Sequence, residues 1–263
     1  MLPRLLIHAL IPAVMTPMIR RRSLRLASVL AVGTLVLGCS SNSKRPAPRR
    51  STPVASSASS PAWSPVPANC CAALERAVLD ELNRVRANPA RYAASIEAEL
   101  PYYQGRIFQR PTDAVSLSTR EGAAAAREAV KALRASPPLP LLRGSIGMSL
   151  GARDHVKDQG PRGGMEHKGS DGTMAWDRVN RYGQWKTKIS ENMSFGTATG
   201  RDVVVSLLID DGVAERGHRK NILDPEIRIA GVSCGYHKIY RVMCDMVHAS
   251  SFVERQTAST GRQ

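Results

Sequence analysis

R-D-V-V-V-S-L-L-I-D-D (residues 201–211), I-R-I-A-G-V-S-C-G (227–235) and I-Y-R-V-M-C-D-M-V-H-A (239–249) decide the fold class. The first is an apolar run of helical length, although its three valines leave a strand open. The other two are short, rich in β-branched residues and close together, as the arms of a hairpin are. Cys234 and Cys244 fall near the two arms, where a disulfide can bridge them.

Upstream, the chain reads as helices. Leu74, Val78, Leu82 and Val85 recur at helical spacing in A-A-L-E-R-A-V-L-D-E-L-N-R-V-R-A-N. Asn88-Pro89 ends that helix and starts another, P-A-R-Y-A-A-S-I-E-A-E-L. A loop follows. Ser118-Thr119-Arg120-Glu121 has the spacing of a capping box for a helix running to about Ala135, which Pro137, Pro138 and Pro140 stop. Ser145 is placed to cap a further helix through Met148, Ala152, His155 and Val156, ending near Gly160. Helices first, then strands with a helix between them, imply a layered α/β (α+β) domain with a mixed or antiparallel sheet.

The ends of the chain differ in composition. Residues 24–38 are a short apolar run behind Arg20, Arg21 and Arg22, and they end V-L-G-C at Cys39. That is the layout of a secretory leader, not of a membrane span. Small residues before Cys39 resemble a bacterial lipobox, which implies cleavage there and a lipid on Cys39. Met18 or Met15 begins a better-proportioned leader than Met1. Residues 39–68 are rich in Ser, Pro and Ala and have no apolar periodicity, so they read as a disordered tether. The folded domain is expected over 69–255, with 256–263 a disordered tail. The formal charge is +15, but residues 1–68 hold nine basic residues and no acid, so residues 69–263 carry fifteen less nine, or +6. No Lys/Arg run with interleaved aromatics occurs in the folded part, which argues against a nucleic-acid partner. Cys39 aside, four cysteines remain; in an exported protein an even number suggests disulfides, and the sequence leaves the pairing of Cys70 and Cys71 open.

Chemistry-bearing residues concentrate between His167 and Asn221. His167 and His218 are candidates for a polar cleft and for metal ligation, since imidazole is the common ligand for Zn, Cu or Ni. Hydrogen-bonded structural roles remain the alternative for both. Glu191, at the start of an expected short strand, could orient an imidazole or act on a metal-bound water. Asp210 and Asp211 end the 201–211 helix, where carboxylates oppose the macrodipole and need a compensating partner such as Arg216, Arg219, His218 or a cation. S-D-G at 170–172 reads as a turn. His155, on the helix, reads as structural or exposed, not as a ligand. G-M-S-L-G at 147–151 has the G-x-S-x-G spacing but lies inside the expected Ser145-capped helix, not on a strand-to-helix turn, and H-E-x-x-H and a glycine-rich phosphate loop are absent, so no nucleophile is indicated.

Taken together, L-N-R-V-R-A-N-P-A-R-Y-A (82–93), H-K-G-S-D-G-T-M-A-W-D-R-V-N-R-Y-G (167–183), E-N-M-S-F-G (191–196), R-G-H-R-K-N-I-L (216–223) and A-G-V-S-C-G (230–235) resemble the CAP, or SCP-like, superfamily in its bacterial form. The resemblance implies an α-β-α sandwich around a central mixed or antiparallel sheet. It also implies a cleft with two histidines and two acids: His167, Glu191, His218, and Asp210 or Asp211 in place of a more usual Glu. Ser190 stands where the family has Gly. The implied function is an envelope-anchored binding domain, held to the membrane by its N-terminal lipid. It would hold a divalent metal such as Zn through His167 and His218, or a lipid, glycan or protein ligand, or both. The alternative is a Zn-dependent hydrolase with Glu191 as general base. The implied location is the bacterial outer membrane or cell surface, with simple secretion as the alternative.

Overall fold

A computed structural model describes residues 68–255. The leader, Cys39, the tether and the 256–263 tail lie outside the described residues, as does the side chain of Cys70.

Two helices open the domain. α1 (Ala68–Ala87) buries Val78, Leu82 and Val85 of the expected stripe, with Leu74 partly buried against them. It stops at Asn88, whose side chain accepts from Arg91 N and caps α2 (Pro89–Glu97), with Pro89 in the first turn where its missing N–H costs nothing. After a 3₁₀ turn the expected loop folds on itself as three two-residue strands, β1 (Tyr103–Gln104), β2 (Ile107–Phe108) and β3 (Leu117–Ser118), paired antiparallel in that order.

The expected capping box does not form. Ser118 belongs to β3, and α3 (Ala123–Ala135) begins after Gly122 with no side-chain cap. The backbone amides of Arg120 and Glu121 donate instead to the Asp211 carboxylate, at 2.6 and 2.8 Å. A partner about ninety residues away has replaced the local one.

β4 (Arg143–Gly144) leads into α4 (Ile146–Arg162). Ser145 caps it as expected, accepting from Met148 N, and the helix runs two residues past Gly160 to a left-handed Gly163. α5 (Ala175–Asn180) precedes β5 (Gly183–Phe195), a thirteen-residue strand in which Glu191 lies well inside, not at the start of a short strand. The 201–211 run resolves as helix α6 (Gly200–Ile209), capped by Thr199. α7 (Gly217–Ile222) follows, then the hairpin β6 (Ile229–His237) and β7 (Arg241–Glu254). Cys234 and Cys244 face each other across the hairpin and are disulfide-bonded, as their spacing suggested.

The main sheet has the order β4-β6-β7-β5, with β4 parallel to β6 and the other pairs antiparallel. Side chains alternate across it. Cys244 and Met246 join Val78, Leu82, Val203 and Leu208 on the side of α1 and α6, while Val247 and Ala249 join Met148, Ala152 and Val179 on the side of α4 and α5. The result is the expected α-β-α sandwich around a mixed sheet. Gly231 in A-G-V-S-C-G lets α4 close onto β6: a Cβ there would sit 2.2 Å from the Met148 carbonyl carbon. No helix among the described residues is long and apolar enough to cross a membrane.

Candidate functional site: two histidine–carboxylate pairs tied to one strand

β5 is the edge strand next to β7, and its consecutive residues Glu191 and Asn192 point to opposite faces. Each ties down one histidine-bearing segment. On the α5 side, His167 lies in the loop between α4 and α5. That loop is pinned where Asp158 accepts from Ser170 and where Asp171 accepts from Thr173 in a tight turn with Gly172 at positive φ, so S-D-G is a turn as read. His167 Nδ1–H donates to Glu191 Oε2 at 2.7 Å. The other oxygen, Oε1, accepts from Arg178 Nη2. Arg178, on α5, is 2 % exposed and also donates to the Thr173 carbonyl. Burial by itself would raise the Glu191 pKa, but the His167 hydrogen bond and the Arg178 charge outweigh it and hold the carboxyl below its ordinary range.

On the other face, Asn192 Nδ2 donates to the His218 carbonyl at 3.2 Å and its Oδ1 accepts from Asn221. His218 opens α7. Asp210 closes α6 in a left-handed conformation (φ 55°), unusual for a residue with a side chain, and this turns its carboxylate toward the start of α7. Asp210 Oδ1 accepts from His218 Nδ1 at 2.6 Å and Oδ2 from His218 N at 2.9 Å. The compensation that a carboxylate at a helix C-terminus requires is therefore the imidazole and backbone of the next helix. Arg216, also left-handed, donates to the Asp210 carbonyl and binds Glu121 and Glu128, bracing the turn from the side. Asp210 is thus the acid of the His218 pair, and Asp211 the backbone clamp before α3.

Both imidazoles have Nδ1 tied to an acceptor-only group, which fixes the tautomer and leaves Nε2 as the lone-pair nitrogen of the neutral ring. Neither Nε2 makes a hydrogen bond among the described residues. A three-ligand zinc site does not fit this donor set. The nearby carboxylates, Glu191 and Asp210, are committed to the Nδ1 atoms, and among the described residues no group of three or more His, Cys, Asp or Glu side chains is placed to hold a metal.

The large cavity, about 690 Å³, lies between the β1–β3 segment, the end of β5 and α6. His218, Asp210 and Asp211 line it; His167 and Glu191 are not among its lining residues. Tyr103, Phe108, Leu117, Met193, Phe195 and Val205 make much of the wall, and exposed Val115 and Ile239 stand at its margin. Arg110 in the wall is occupied by Glu99 and Asp202. Ser194 Oγ is hydrogen-bonded to Thr197, not to a base.

Sequence reading missed two groups of the His167 side. Arg178 is one. Asp245 is the other: a fully buried carboxyl on β7, visible in the sequence only as a lone acid within the apolar run M-C-D-M-V. His155 is buried as a structural residue would be, its Nε2 on the Glu166 carbonyl and its pKa lowered by burial.

Residues 127–246 match the model of the CAP family, described as the cysteine-rich secretory protein family. No curated protein matches the chain. Two solved structures are similar over 42 % of it. One is an extracellular protein containing an SCP domain from Bacillus anthracis, with 23 % identity and a TM-score of 0.34; the match spans about a third (34 %) of that protein. The other is an outer surface protein from Borrelia burgdorferi, with 15 % identity, a TM-score of 0.36 and 78 % of that chain covered.

Proposed function

We propose that residues 69–255 form a CAP-type binding domain, held outside the cytoplasm by a lipid on Cys39, whose cavity takes an amphipathic ligand of the lipid class. The cavity carries this reading. Its volume suits a small ligand and its wall is largely apolar by area, with polar groups such as Arg110, Asp202, Asp210, Asp211 and His218 distributed around it. An amphipathic molecule matches that mainly apolar wall with its interspersed polar groups; a glycan would leave the aromatic and aliphatic part unmatched. Binding is favoured over hydrolysis because Glu191, the candidate general base, commits both oxygens to His167 and Arg178 and is held at low pKa. Placement outside the cytoplasm is supported by the basic-apolar-cysteine leader and by the Cys234–Cys244 disulfide, which needs an oxidising compartment to persist.

Ser206 lies on the cavity wall, and its hydroxyl serves only its own helix. Ser206→Trp should fill the cavity while keeping the fold. In a titration with a fluorescent single-chain fatty-acid analogue, the mature chain should bind saturably and the variant on the order of ten-fold more weakly, about 1.4 kcal/mol. Absence of saturable binding, or equal binding by both proteins, would sink the lipid reading. The anchor is tested separately. Cys39→Ser should move the protein from the membrane to the soluble fraction, and unchanged fractionation would count decisively against lipidation.

A further inference from the structure

Asp245 has no role in the cavity and no conventional partner. Its side chain is fully buried, and neither oxygen has a side-chain donor among the described residues; the one donor near it is the backbone N–H of Met246. The strand register places it opposite Met193, on the face that carries Glu191, so a second carboxyl is its close polar neighbour. Two carboxylates in contact can only accept. They make a hydrogen bond only if one of them keeps its proton.

We propose that Asp245 is a positioning residue that stays a neutral carboxylic acid and donates its proton to Glu191, so that the two carboxyls share one negative charge matched by Arg178. The groups around the pair fit that count. β5 contributes Glu191, α5 contributes Arg178, α4 contributes His155, and the α4–α5 loop contributes His167. Glu191 accepts from Arg178 on one oxygen and from His167 on the other, and a carboxylate has lone pairs left for a third donor. Were Asp245 ionised, two buried negative charges would face the one guanidinium. The proton on Asp245 removes that second charge and gives Glu191 a third donor. Burial and the Glu191 charge both push Asp245 well above the ordinary range, with Arg178 pulling the other way. None of this depends on what fills the cavity.

The test uses the mature chain and Asp245→Asn, which can still donate to Glu191 but cannot titrate. At neutral pH the infrared spectrum of the wild type should contain the carbonyl stretch of a buried protonated carboxyl, and D245N should lack it. Melting curves give a second readout. An acid whose folded pKa is raised stabilises the fold below its unfolded value, near pH 4, and loses that contribution as pH rises toward the folded value. The Tm of D245N should therefore gain on that of the wild type between pH 4 and 7. The gain should be roughly 3–5 °C for every pH unit that separates the folded titration of Asp245 from the unfolded one. A merely structural aspartate would leave the gap constant with pH, and a constant gap overturns the proposal. If the variant does not fold, the wild-type spectrum decides alone: without a protonated-carboxyl band at neutral pH, the assignment is wrong.

Discussion

Arg86→Met should cost the domain about 4 kcal/mol and lower its Tm by roughly 10 °C, a large effect for one substitution far from either histidine. Arg86 sits in the last turn of α1 and is completely buried. Its guanidinium meets backbone carbonyls only: Pro140 at 2.8 Å, Ile222 at 2.7 Å, Asp224 at 3.1 Å and Ile227 at 2.9 Å. Burial and the nearby charge of Arg228 lower its pKa to about 10, which still leaves it cationic at neutral pH. Methionine fills much of the volume but strands four acceptors, each worth about 1–3 kcal/mol when left unsatisfied in the interior. Three of these carbonyls belong to the 222–227 segment that joins α7 to β6, so the loss should be felt where His218 is held. Lysine, a single point donor without the planar fork, should recover only part of it. Chemical denaturation gives the value; a loss under about 1 kcal/mol for R86M would show that these contacts are replaceable by relaxation.

Arg86 also shows where sequence reading stops. The helical stripe of α1, the Pro89 restart, the Ser145 cap and the hairpin with its disulfide are written in neighbouring residues, and all of them form. Arg86 follows Arg84 in L-N-R-V-R-A-N, and nothing local says which of the two turns inward to collect carbonyls more than fifty residues away. The capping box at Ser118 failed for the same reason: Asp211 supplies a better acceptor from a distant turn. Within the site, an acid paired with His218 was legible because the two lie on adjoining helices. The choice between Asp210 and Asp211 was not legible. It depends on Asp210 adopting the left-handed region, which sends one carboxylate to α7 and the next to the α3 entrance. Arg178 and Asp245 escaped notice because their partner, Glu191, is reached through strand register and helix packing.

The two sides of β5 then divide the labour physically. One side carries the buried Glu191–Arg178 pair, with the partly exposed His167 at its edge. On the other, His218 and Asp210 reach the cavity, whose wall also takes in Met193, Ser194 and Phe195 at the end of β5. Asn192, next to Glu191 in sequence, links the second to the strand that holds the first. A change at either histidine is therefore expected to report on its own partner carboxylate, since residues without shared contacts behave nearly additively.

His248→Met should make the domain resistant to acid, improving its stability relative to the wild type by roughly 3 kcal/mol between pH 7.5 and pH 4. His248 is fully buried on the α1 side of β7, opposite Ser190 and Ala230, and neither ring nitrogen has a hydrogen-bond partner among the described residues. Burial first, then the Arg86 charge, depress its pKa to about 4. The sign follows from proton counts. The unfolded chain takes up a proton near pH 6.5 while the folded ring stays neutral until about pH 4. The stabilisation conferred by a neutral ring is complete above pH 6.5 and is lost as pH falls through that window. Each pH unit between the two titrations is worth about 1.4 kcal/mol, which gives the stated loss. Asp245 acts over an overlapping range with the opposite slope, so the wild-type pH curve alone conflates the two. The informative quantity is the gap between variant and wild type at each pH. At pH 7.5 it should be within about 1 kcal/mol, because methionine suits the volume and removes two unpartnered nitrogens. On acidification it should open in favour of the variant. A gap that stays flat from pH 7.5 to 4 would mean that His248 charges as readily in the fold as in water, through a rearrangement that brings it a partner.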